Sequence, residues 1–558
     1  MATTSPWRWN PILGEYEISE GKQFSGTGEI SAIDAFRNST LVLLGATGFV
    51  GKVLLAMILD RIPELERLVI QVRRKKSPSG EKRFYSEILT SPPLLPTLQK
   101  LGEDSIRQKV TIVEGDLTHP FCGLSERELS ELKGKVDVVV NTAGLVEFDP
   151  PLNESLLTNV YGIRNLLELV QLLGTKLVHI STCYVGGKRS GQISENTPMV
   201  GYYPGRKDDQ DNRFDVMQEL AWCENFIRET EKEGLEEQGK AAVRPESAPP
   251  EPRSRIPAPA MVREKLRKGG TARANSWGWI NTYTYTKSIG EQLIALTPGL
   301  EYCIVRPAIV ESAMSFPFPG WNEGFTTSAP LVLMGGEGVK SWPVHRDGPL
   351  EIIPVDMVAA GILIATAATL CEKNLPVYQL ATAYDNPVMM PRLVAFLGMN
   401  SRYRHKRKKT GNRLFNLWKT YGQTQVVTVE QLKSQQARLH RVLNFYHALL
   451  NLLKQILGNK IVAPYLKSFR MTRRLIRQQE QMVDKFLPFM LHNTFTFETR
   501  NIRETFLKLT DKDQQRLTWD PENIDWADYW VNIHTKGIEK WIRPRFAKQG
   551  KSPDGAAL

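Results

Sequence analysis

Tyr283 and Lys287 stand four positions apart in the stretch NTYTYTKSIGEQL, residues 281–293. Four residues make about one helical turn, so the phenol and the ammonium would lie on one helix face. A reactive tyrosine–lysine pair has this form, but ordinary surface helices show the same spacing by chance. Tyr285 would point to another face and serve in packing. The rest of the chain has to decide between the two interpretations.

Two hydroxyl side chains, Ser181 and Thr182, come at the end of a strongly apolar run in the stretch LVHISTCYV. A strand of that composition would carry them to the carboxyl edge of a parallel sheet, where open α/β sheets bind their ligands. Tyr283 and Lys287 precede a further apolar run, so they can face the same crevice. A hydroxyl, a tyrosine and a lysine at one sheet edge form a specific catalytic set. Asn159 fits either a supporting place in a proton relay or a structural role.

Short runs rich in Val, Ile and Leu alternate with amphipathic stretches from residue 40 onward. Nearly continuous apolar runs are typical of strands covered on both faces, and helical intervals between them indicate βαβ units. The sequence therefore predicts an α/β fold, a doubly wound Rossmann-type parallel sheet, with a smaller C-terminal α-helical domain. The predicted strands are 40–46, 67–73, 109–116, 136–144, 176–182 and 301–308.

The chain has 558 residues, too many for one ordinary core, and its composition changes along its length. We predict five parts. They are an N-terminal extension (1–34), a nucleotide-binding domain (35–399) that contains an insertion (204–275), a helical domain (400–545) and a disordered tail (546–558). The apolar segment 355–370 predicts a buried helix inside the nucleotide-binding domain.

Two segments allow more specific predictions. The insertion is rich in Pro and charge, which predicts a helix near 214–236 followed by a flexible segment that favours polyproline II. Within 441–457, apolar residues recur at helical spacing. We expect this stripe to be core, and the alternative is a face that lies on a membrane or around an acyl chain.

Gly45, Gly48 and Gly51 link the first predicted strand to an amphipathic helix. Glycines at such a junction let the backbone approach a pyrophosphate, and the helix N-terminus offers free N–H groups. The second strand ends at Arg73 and Arg74, with no acidic residue nearby. Because an acidic residue there usually holds the ribose of NAD, the basic pair favours the 2′-phosphate of NADPH.

The ends of the later strands complete the predicted nucleotide site. Asp116 can accept a hydrogen bond from the adenine amino group, and the small residues of NTAG (141–144) allow a close approach to the ribose. The residues predicted to contact NADPH are Gly45, Thr47, Gly48, Phe49, Val50, Gly51, Arg73, Arg74, Asp116, Leu117, Asn141, Ala143, Gly144, Asn159, Tyr283, Lys287, Pro307 and Ile309.

The net charge of +12 favours polyanionic partners. No helix-turn-helix, RRM or zinc-finger signature accompanies it, so we predict no nucleic-acid partner. The five cysteines form no CxxC pair and no cluster with histidine, which predicts no metal site and a reducing compartment. The start of the chain lacks a secretory pattern. We therefore expect a cytoplasmic protein, and the charge leaves open a peripheral association with an anionic membrane. Nothing in the sequence predicts an oligomeric state.

In this order, GATGFVG, ISTCYV, NTYTYTK and VRPAIVES resemble the pattern of the extended short-chain dehydrogenase/reductases. Within that superfamily the chain resembles the alcohol-forming fatty acyl-CoA reductases of the male-sterility type. The segments FTFETRNIR and IDWADYW resemble the small helical domain of these enzymes. One departure is the long separation of Thr182 and Tyr283, which the Pro-rich insertion causes. This departure affects the expected lid over the substrate and not the expected chemistry.

The resemblance implies roles for the predicted catalytic set. Tyr283 would donate the proton, Lys287 would activate it and hold the nicotinamide ribose, and Thr182, with Ser181 as its substitute, would bind the carbonyl oxygen. A free phenol has a pKa of about 10, and a nearby ammonium would lower it. The implied reaction is NADPH-dependent reduction of a long-chain fatty acyl-CoA, through an aldehyde, to a primary alcohol. Two alternatives are a thioester reductase that releases the aldehyde and a non-catalytic NADP(H)-binding regulator, a class that commonly loses the Tyr/Lys pair.

Overall fold

The structure is a computed structural model, and it describes most of the chain. The described ranges are 7–10, 15–18, 25–73, 79–208, 210–211, 213–236, 259–324, 327–336, 339–406, 424–492 and 494–545. Arg74 lies outside them, as does the predicted disordered tail (546–558). Much of the predicted N-terminal extension and the centre of the predicted insertion also lie outside the described residues.

Seven parallel strands form the main sheet, in the order β13–β9–β7–β6–β3–β4–β5. Strand order reverses between β3 and β6, as in dinucleotide-binding folds, so the predicted doubly wound α/β fold is confirmed. The strands, in chain order, are β1 (Trp7–Asn10), β2 (Glu15–Ile18), β3 (Thr40–Leu44), β4 (Arg67–Val72), β5 (Val110–Glu114), β6 (Val138–Asn141), β7 (Lys176–Ile180), β8 (Ser190–Ile193), β9 (Tyr302–Pro307), β10 (Ile309–Glu311), β11 (Ser341–Trp342), β12 (Ile352–Pro354), β13 (Val377–Leu380), β14 (Gln425–Val426) and β15 (Thr494–Phe497).

Each of the six predicted strands corresponds to one strand of this sheet. The seventh, β13, was not predicted. It is only four residues long, and the polar Gln379 interrupts its apolar pattern. Gln379 is nevertheless fully buried, because its side-chain amide donates to the backbone carbonyls of Ile193 and Glu498. A strand that contains a buried polar side chain, here one whose amide nitrogen has hydrogen-bond partners, is not recognised from apolar runs alone.

Helices cover both faces of the sheet and form most of the remaining described chain. They are α1 (Ala32–Phe36), α2 (Phe49–Arg61), α3 (Gly80–Arg83), α4 (Leu95–Leu101), α5 (Glu103–Lys109), α6 (Glu126–Leu132), α7 (Leu152–Leu156), α8 (Gly162–Leu173), α9 (Val216–Glu236), α10 (Ala260–Trp277), α11 (Thr282–Ala295), α12 (Ala329–Gly336), α13 (Val355–Leu370), α14 (Met390–Lys406), α15 (Val429–Leu457), α16 (Asn459–His492), α17 (Arg500–Lys508), α18 (Asp511–Arg516), α19 (Trp526–Asp528) and α20 (Thr535–Gly537). Shorter 3₁₀ and π-helical turns are Phe84–Ile88, Pro120–Gly123, Leu157–Tyr161, Cys183–Gly186, Pro521–Asn523, Tyr529–His534 and Ile538–Ile542. Within the described ranges, no helix combines the length and the apolar character needed to cross a membrane.

The predicted buried helix is confirmed, because α13 spans Val355–Leu370 and is buried along almost its whole length. The helix predicted near 214–236 is also found, as α9. The flexible segment predicted after it is wrong from residue 260 onward, where α10 begins. Val262, Leu266, Gly270 and Ala274 recur every four residues in α10 and are buried. That stripe was masked in the sequence by the Lys and Arg residues between its members.

The chain divides into two compact units that interleave along the sequence. The first, which contains the seven-stranded sheet, comprises 1–321, 351–386 and 496–524, and the second comprises 322–350, 387–495 and 525–558. The division therefore differs from the single boundary predicted near residue 400. Residues that belong together in space are separated in the chain, and a change in composition cannot reveal such an arrangement.

The second unit includes a helical hairpin formed by α15 and α16, which we call the α15–α16 hairpin (429–492). The apolar stripe predicted to be core lies in its first helix. That prediction is wrong for Val442, Tyr446, Leu449 and Ile456, each of which is at least 40% exposed. It is confirmed for Leu450, a further member of the predicted stripe, which is buried. The helical spacing predicted the helix correctly, but the packing face is offset around it.

Candidate active site

The turn between β3 and α2 lies at the carboxyl edge of the sheet. Gly45 has φ of +85°, a left-handed conformation that glycine adopts readily, and a Cβ there would lie 2.5 Å from the backbone nitrogen of Ala143. Gly48 is the N-cap of α2, and no side chain caps this helix end. The first N–H groups of α2 therefore remain suited to an anion such as a pyrophosphate.

The other predicted residues of this turn lie together at the same helix end. Thr47, Phe49 and Val50 are partly exposed, whereas Gly51 is buried in the first turn of α2. The backbone nitrogen of Gly48 donates to the carbonyl of Gly45 at 3.0 Å and closes the turn. The structure therefore brings these residues together as a glycine-rich cradle.

The ends of β4 and β5 place one basic and one acidic side chain close together. The Nε of Arg73 lies 3.6 Å from Oδ2 of Asp116, and the arginine side chain is 66% exposed. The other carboxylate oxygen, Oδ1, accepts hydrogen bonds from the backbone and hydroxyl of Thr118. Leu117 is buried and its carbonyl accepts from Asn165, which gives it a packing role.

The loop after β6 is braced from below by buried polar groups. Asn141 is fully buried; its Oδ1 accepts from the backbone nitrogen of Ala143 at 3.0 Å, and its amide nitrogen lies 3.1 Å from Nδ1 of His179. At Gly144, an added Cβ would lie 2.9 Å from the ammonium nitrogen of Lys287. This loop therefore runs directly over the lysine.

Tyr283 and Thr182 meet across the sheet edge. Asn281 caps α11 by accepting from the backbone nitrogen of Thr284, which places Tyr283 in the first turn of the helix. The side chains of Tyr283 and Thr182, which follows β7, lie close enough to interact electrostatically. The Thr182 hydroxyl also lies 3.4 Å from the carbonyl of Pro307. The predicted hydroxyl and phenol are therefore neighbours at one sheet edge.

Burial controls the acidity of the phenol. It raises the pKa of Tyr283 to about 12, and the interaction with Thr182 opposes that rise only in part. The expected lowering of this pKa by Lys287 is wrong for the described structure, in which burial outweighs any charge effect. Tyr283 therefore holds its proton at neutral pH, as a proton donor must.

Lys287 is buried on the same helix, with its ammonium donating to the carbonyl of Ile180 at 3.1 Å. Burial lowers the pKa of Lys287 to about 8, and the nearby carboxylate of Glu291 opposes that shift. The lysine therefore stays mainly charged at neutral pH and loses its proton in mildly alkaline solution.

Ser181 and Asn159 differ in their surroundings. The Ser181 hydroxyl is buried and has no hydrogen-bond partner in the described chain, whereas its backbone nitrogen donates to Val305. Asn159 is also buried; it exchanges two hydrogen bonds with the backbone of Leu145 and donates to the hydroxyl of Thr286. These contacts give Asn159 a bracing role between the loop after β6 and α11, and a place in a proton relay stays a prediction.

Pro307 and Ile309 lie where the chain leaves the main sheet. Pro307 ends β9, and Ile309 begins β10, which pairs in parallel with β12. The carbonyl of Pro307 faces the Thr182 hydroxyl, and Ile309 is partly exposed. Contact of either residue with a nucleotide stays a prediction.

Comparison with known sequences decides the family. A sequence profile described as male sterility protein matches residues 43–362, more than half of the chain, and a second profile of the same description matches 439–543. The chain belongs to the male sterility protein family. The predicted resemblance to the fatty acyl-CoA reductases is therefore confirmed, and the family match indicates an oxidoreductase with a nicotinamide cofactor.

Relatives of this male sterility family member are similar over nearly their whole length. A probable fatty acyl-CoA reductase 5 of Arabidopsis thaliana is 28% identical, covering 91% of this chain and 98% of the relative. The alcohol-forming fatty acyl-CoA reductase of Simmondsia chinensis is 26% identical, covering 92% and 99%. Among solved structures, a thiolation-reductase di-domain of an archaeal non-ribosomal peptide synthetase shows 16% identity and a TM-score of 0.48, covering 93% of this chain and 79% of that one.

The residues at the sheet edge fit a nicotinamide dinucleotide. The cradle around Gly45 would fill if a Cβ were added, α2 presents an uncapped N-terminus, and the buried Ser181 hydroxyl has no partner among the described residues. Lys287 lies under Gly144, at the place where a ribose would approach the loop after β6. A polar ligand that supplies hydrogen bonds would satisfy these groups.

Two buried carboxylates behind the site were missed by sequence reasoning. Glu291, one turn after Lys287, forms a buried ion pair with Arg306, with N–O distances of 3.0 and 2.5 Å. Its spacing of four from the lysine was visible in the sequence. Glu219 of α9 accepts a hydrogen bond from the hydroxyl of Tyr285 of α11, and no local pattern revealed that contact. Tyr285 is fully buried, as its predicted packing role requires.

Proposed function

We propose that the protein is an NADPH-dependent fatty acyl-CoA reductase that converts a long-chain acyl-CoA to the primary alcohol and releases CoA. The grouping of Thr182, Tyr283 and the buried Lys287 at one edge of a sheet that also carries the glycine turn is the observation that carries the proposal. The activities named for the family's relatives support the choice of substrate.

The choice of NADPH rests on Arg73. Its guanidinium is largely exposed at the end of β4, where the ribose of a dinucleotide bound to this fold would lie. Oδ2 of Asp116 is 3.6 Å from it, so the arginine stays oriented towards the site. The 2′-phosphate of NADPH would form an ion pair with the Arg73 guanidinium, whereas the neutral ribose diol of NADH would not.

The residues of the site suit the reduction of a thioester carbonyl. Bound NADPH supplies hydride. The hydroxyls of Thr182 and Tyr283 would donate hydrogen bonds to the carbonyl oxygen and stabilise the negative charge that develops there. The first reduction needs a proton on that oxygen, giving a hemithioacetal, whose collapse releases CoA-SH and leaves an aldehyde.

A second reduction at the same groups would complete the reaction. The aldehyde oxygen occupies the position that the thioester oxygen held, and Tyr283 gives its proton to the alkoxide. Lys287 would keep a positive charge beside the reacting groups and stabilise the phenolate that this proton transfer leaves behind. Each acyl-CoA thus consumes two hydrides and two protons and yields one alcohol and one CoA-SH.

The test is the ratio of NADPH oxidised to CoA-SH released with palmitoyl-CoA. Two NADPH per thiol are expected, and Tyr283→Phe should lower kcat by at least about a hundredfold, since it removes the proton donor. Tyr302→Phe is the matched control, because Tyr302 begins β9 at the opposite edge of the sheet. A ratio of one would instead indicate release of the aldehyde. Unimpaired turnover by Tyr283→Phe would refute the assigned proton donor.

A further inference from the structure

The α15–α16 hairpin exposes more large apolar side chains than its length would suggest. It has 64 of the 558 residues but carries twelve of the 23 exposed large apolar side chains found in the described chain. The six most exposed range from 58% to 73%, and they are Val442, Phe445, Ile456, Ile461, Tyr465 and Met471. A contiguous apolar surface of this kind marks an interaction site.

These side chains are not the ones that hold the two helices together. The hairpin has its own small core, formed by Leu450, Val462, Leu466 and Phe469, with Leu443 and Leu453 packed against it. The ring of Phe469 stacks on His447 of α15. The packing face of each helix is therefore already occupied, and the exposed apolar residues form a second face.

That second face lies on one side of the hairpin. At 3.6 residues per turn, the exposed apolar residues of α15 fall within an arc of about 140°, next to the arc that contains Leu450. On α16, viewed from its N-terminus, the exposed arc from Ile461 to Met471 is rotated from the packing arc in the same direction as on α15. Because the two helices are antiparallel, equal rotational senses place both exposed arcs on the same side.

The hairpin also has a large net positive charge for its length. Residues 429–492 contain eleven Lys and Arg residues and three Asp and Glu residues, a net charge of +8 against +12 for the whole chain. Arg441, Lys460 and Lys467 are exposed and lie beside the apolar face on the helical wheel. An apolar face bordered by basic side chains matches the composition of helices that lie in the surface of an anionic membrane.

Charge also separates the two occupants that could cover an apolar face of this size. A second copy of the chain would bring another hairpin of charge +8 against the first, and like charges at close range oppose association. An anionic bilayer would instead attract both the apolar and the basic groups. We propose that the exposed face of the α15–α16 hairpin docks on the surface of a bilayer that contains anionic phospholipid.

The full chain can be tested for this docking with two kinds of vesicle. One contains only phosphatidylcholine, and the other contains roughly 30 mol% phosphatidylserine. Flotation should recover the protein with the anionic vesicles, at least about tenfold more than with the neutral ones. Raising the salt from about 0.1 M to about 0.5 M should weaken the binding, because it screens the basic residues.

Two triple variants separate the apolar and basic contributions. Val442→Ser, Phe445→Ser and Ile456→Ser should lower binding to anionic vesicles at least about tenfold. Their matched control replaces the exposed Val200, Met217 and Leu507 by Ser. Arg441→Gln, Lys460→Gln and Lys467→Gln should lower it by roughly a hundredfold. The control for charge is Lys133→Gln, Lys135→Gln and Lys512→Gln, three exposed sites in the sheet unit.

Far-UV circular dichroism and a thermal melt of every variant show whether the hairpin still folds, so loss of binding counts only for folded proteins. The proposal is overturned if the wild-type protein floats equally with neutral vesicles. It is also overturned if the hairpin variants bind as well as their controls. Concentration-dependent dimerisation that the Val442, Phe445 and Ile456 changes abolish, without vesicle binding, would assign the face to a second copy instead.

Discussion

Lys287 sits in a confined space, with its ammonium donating to the carbonyl of Ile180 and the loop at Gly144 directly above it. Burial lowers the pKa of Lys287 to about 8, against the opposing charge of Glu291. If the charged form supports proton transfer, kcat/KM should be constant at neutral pH. It should fall about tenfold per pH unit above about pH 8, because the ammonium is lost there.

The control for this profile is Lys287→Arg, which keeps the charge to far higher pH. Whatever activity it retains should lack the fall near pH 8. The Tyr283 phenol would not cause a fall near pH 8, since burial raises its pKa to about 12. A fall that persists unchanged in Lys287→Arg would attribute the titration to another group.

Residue types at the site were largely predictable, and their protonation was not. The motifs located Tyr283, Lys287 and Thr182, and the structure brings all three to one sheet edge. The direction of the Tyr283 pKa shift was wrong because sequence spacing shows which charges are near but not how deeply a phenol is buried. Desolvation depends on how the folded chain surrounds the phenol, which the spacing of residues in the sequence does not reveal.

Three helices meet at one buried carboxylate beside the site. Glu219 of α9 forms two hydrogen bonds with Arg273 of α10, at 2.8 and 2.6 Å, and also accepts from the hydroxyl of Tyr285 on α11. Only 3% of the Glu219 side chain is exposed. Glu219→Gln should lower the free energy of unfolding by about 3 kcal/mol, because it leaves the partly buried Arg273 cation without its counter-charge. Urea denaturation measures that loss.

The matched control is Glu229→Gln, an exposed site on the same helix. It should change the free energy of unfolding by less than about 0.5 kcal/mol. Since α11 carries Tyr283 and Lys287, kcat of Glu219→Gln should fall while the NADPH:CoA-SH ratio stays the same. Equal stability of the two variants would show that the carboxylate does not fasten these helices.

Elements were predictable where apolar residues formed uninterrupted or evenly spaced patterns. The six long strands and α13 follow from such patterns because both faces of each are covered. By contrast, α10 and β13 depend on polar groups that find partners only in the folded chain. Arg263 of α10 binds Glu154, and Gln379 of β13 binds two backbone carbonyls. The polarity of Gln379 suggested exposure, although its tertiary hydrogen bonds permit full burial, whereas Arg263 remains 52% exposed.

At the scale of the whole molecule, the two units could not be delimited from the sequence. Residues 496–524 belong to the unit that contains the sheet, more than a hundred positions after the preceding segment of that unit. Buried carboxylates fasten this late segment. Glu195 accepts from the backbone nitrogens of Gln379 and Asn501, and Glu351 accepts from that of Phe497. Pairings between such distant residues leave no mark in local composition.

These two acids should make the sheet-containing unit less stable as the pH rises. Burial raises the pKa of Glu195 to about 8 and that of Glu351 to about 7, although backbone hydrogen bonds oppose both shifts. In the unfolded chain both would titrate near 4.5. Between these values the folded state binds more protons than the unfolded state, so the free energy of unfolding falls as pH increases from about 4.5 to about 8.

Cysteine reactivity can report on this unit alone, because all five cysteines belong to it. The rate of thiol labelling in moderate urea gives the free energy of opening. Between about pH 5.5 and pH 8.5, after correction for the reactivity of free thiols, the wild-type protein should lose about 3 kcal/mol more than Glu195→Gln. Glu504→Gln, an exposed site on α17, should behave like the wild type. An identical pH dependence in Glu195→Gln would mean that Glu195 is ionised in the folded protein, held by its backbone donors against the cost of burial.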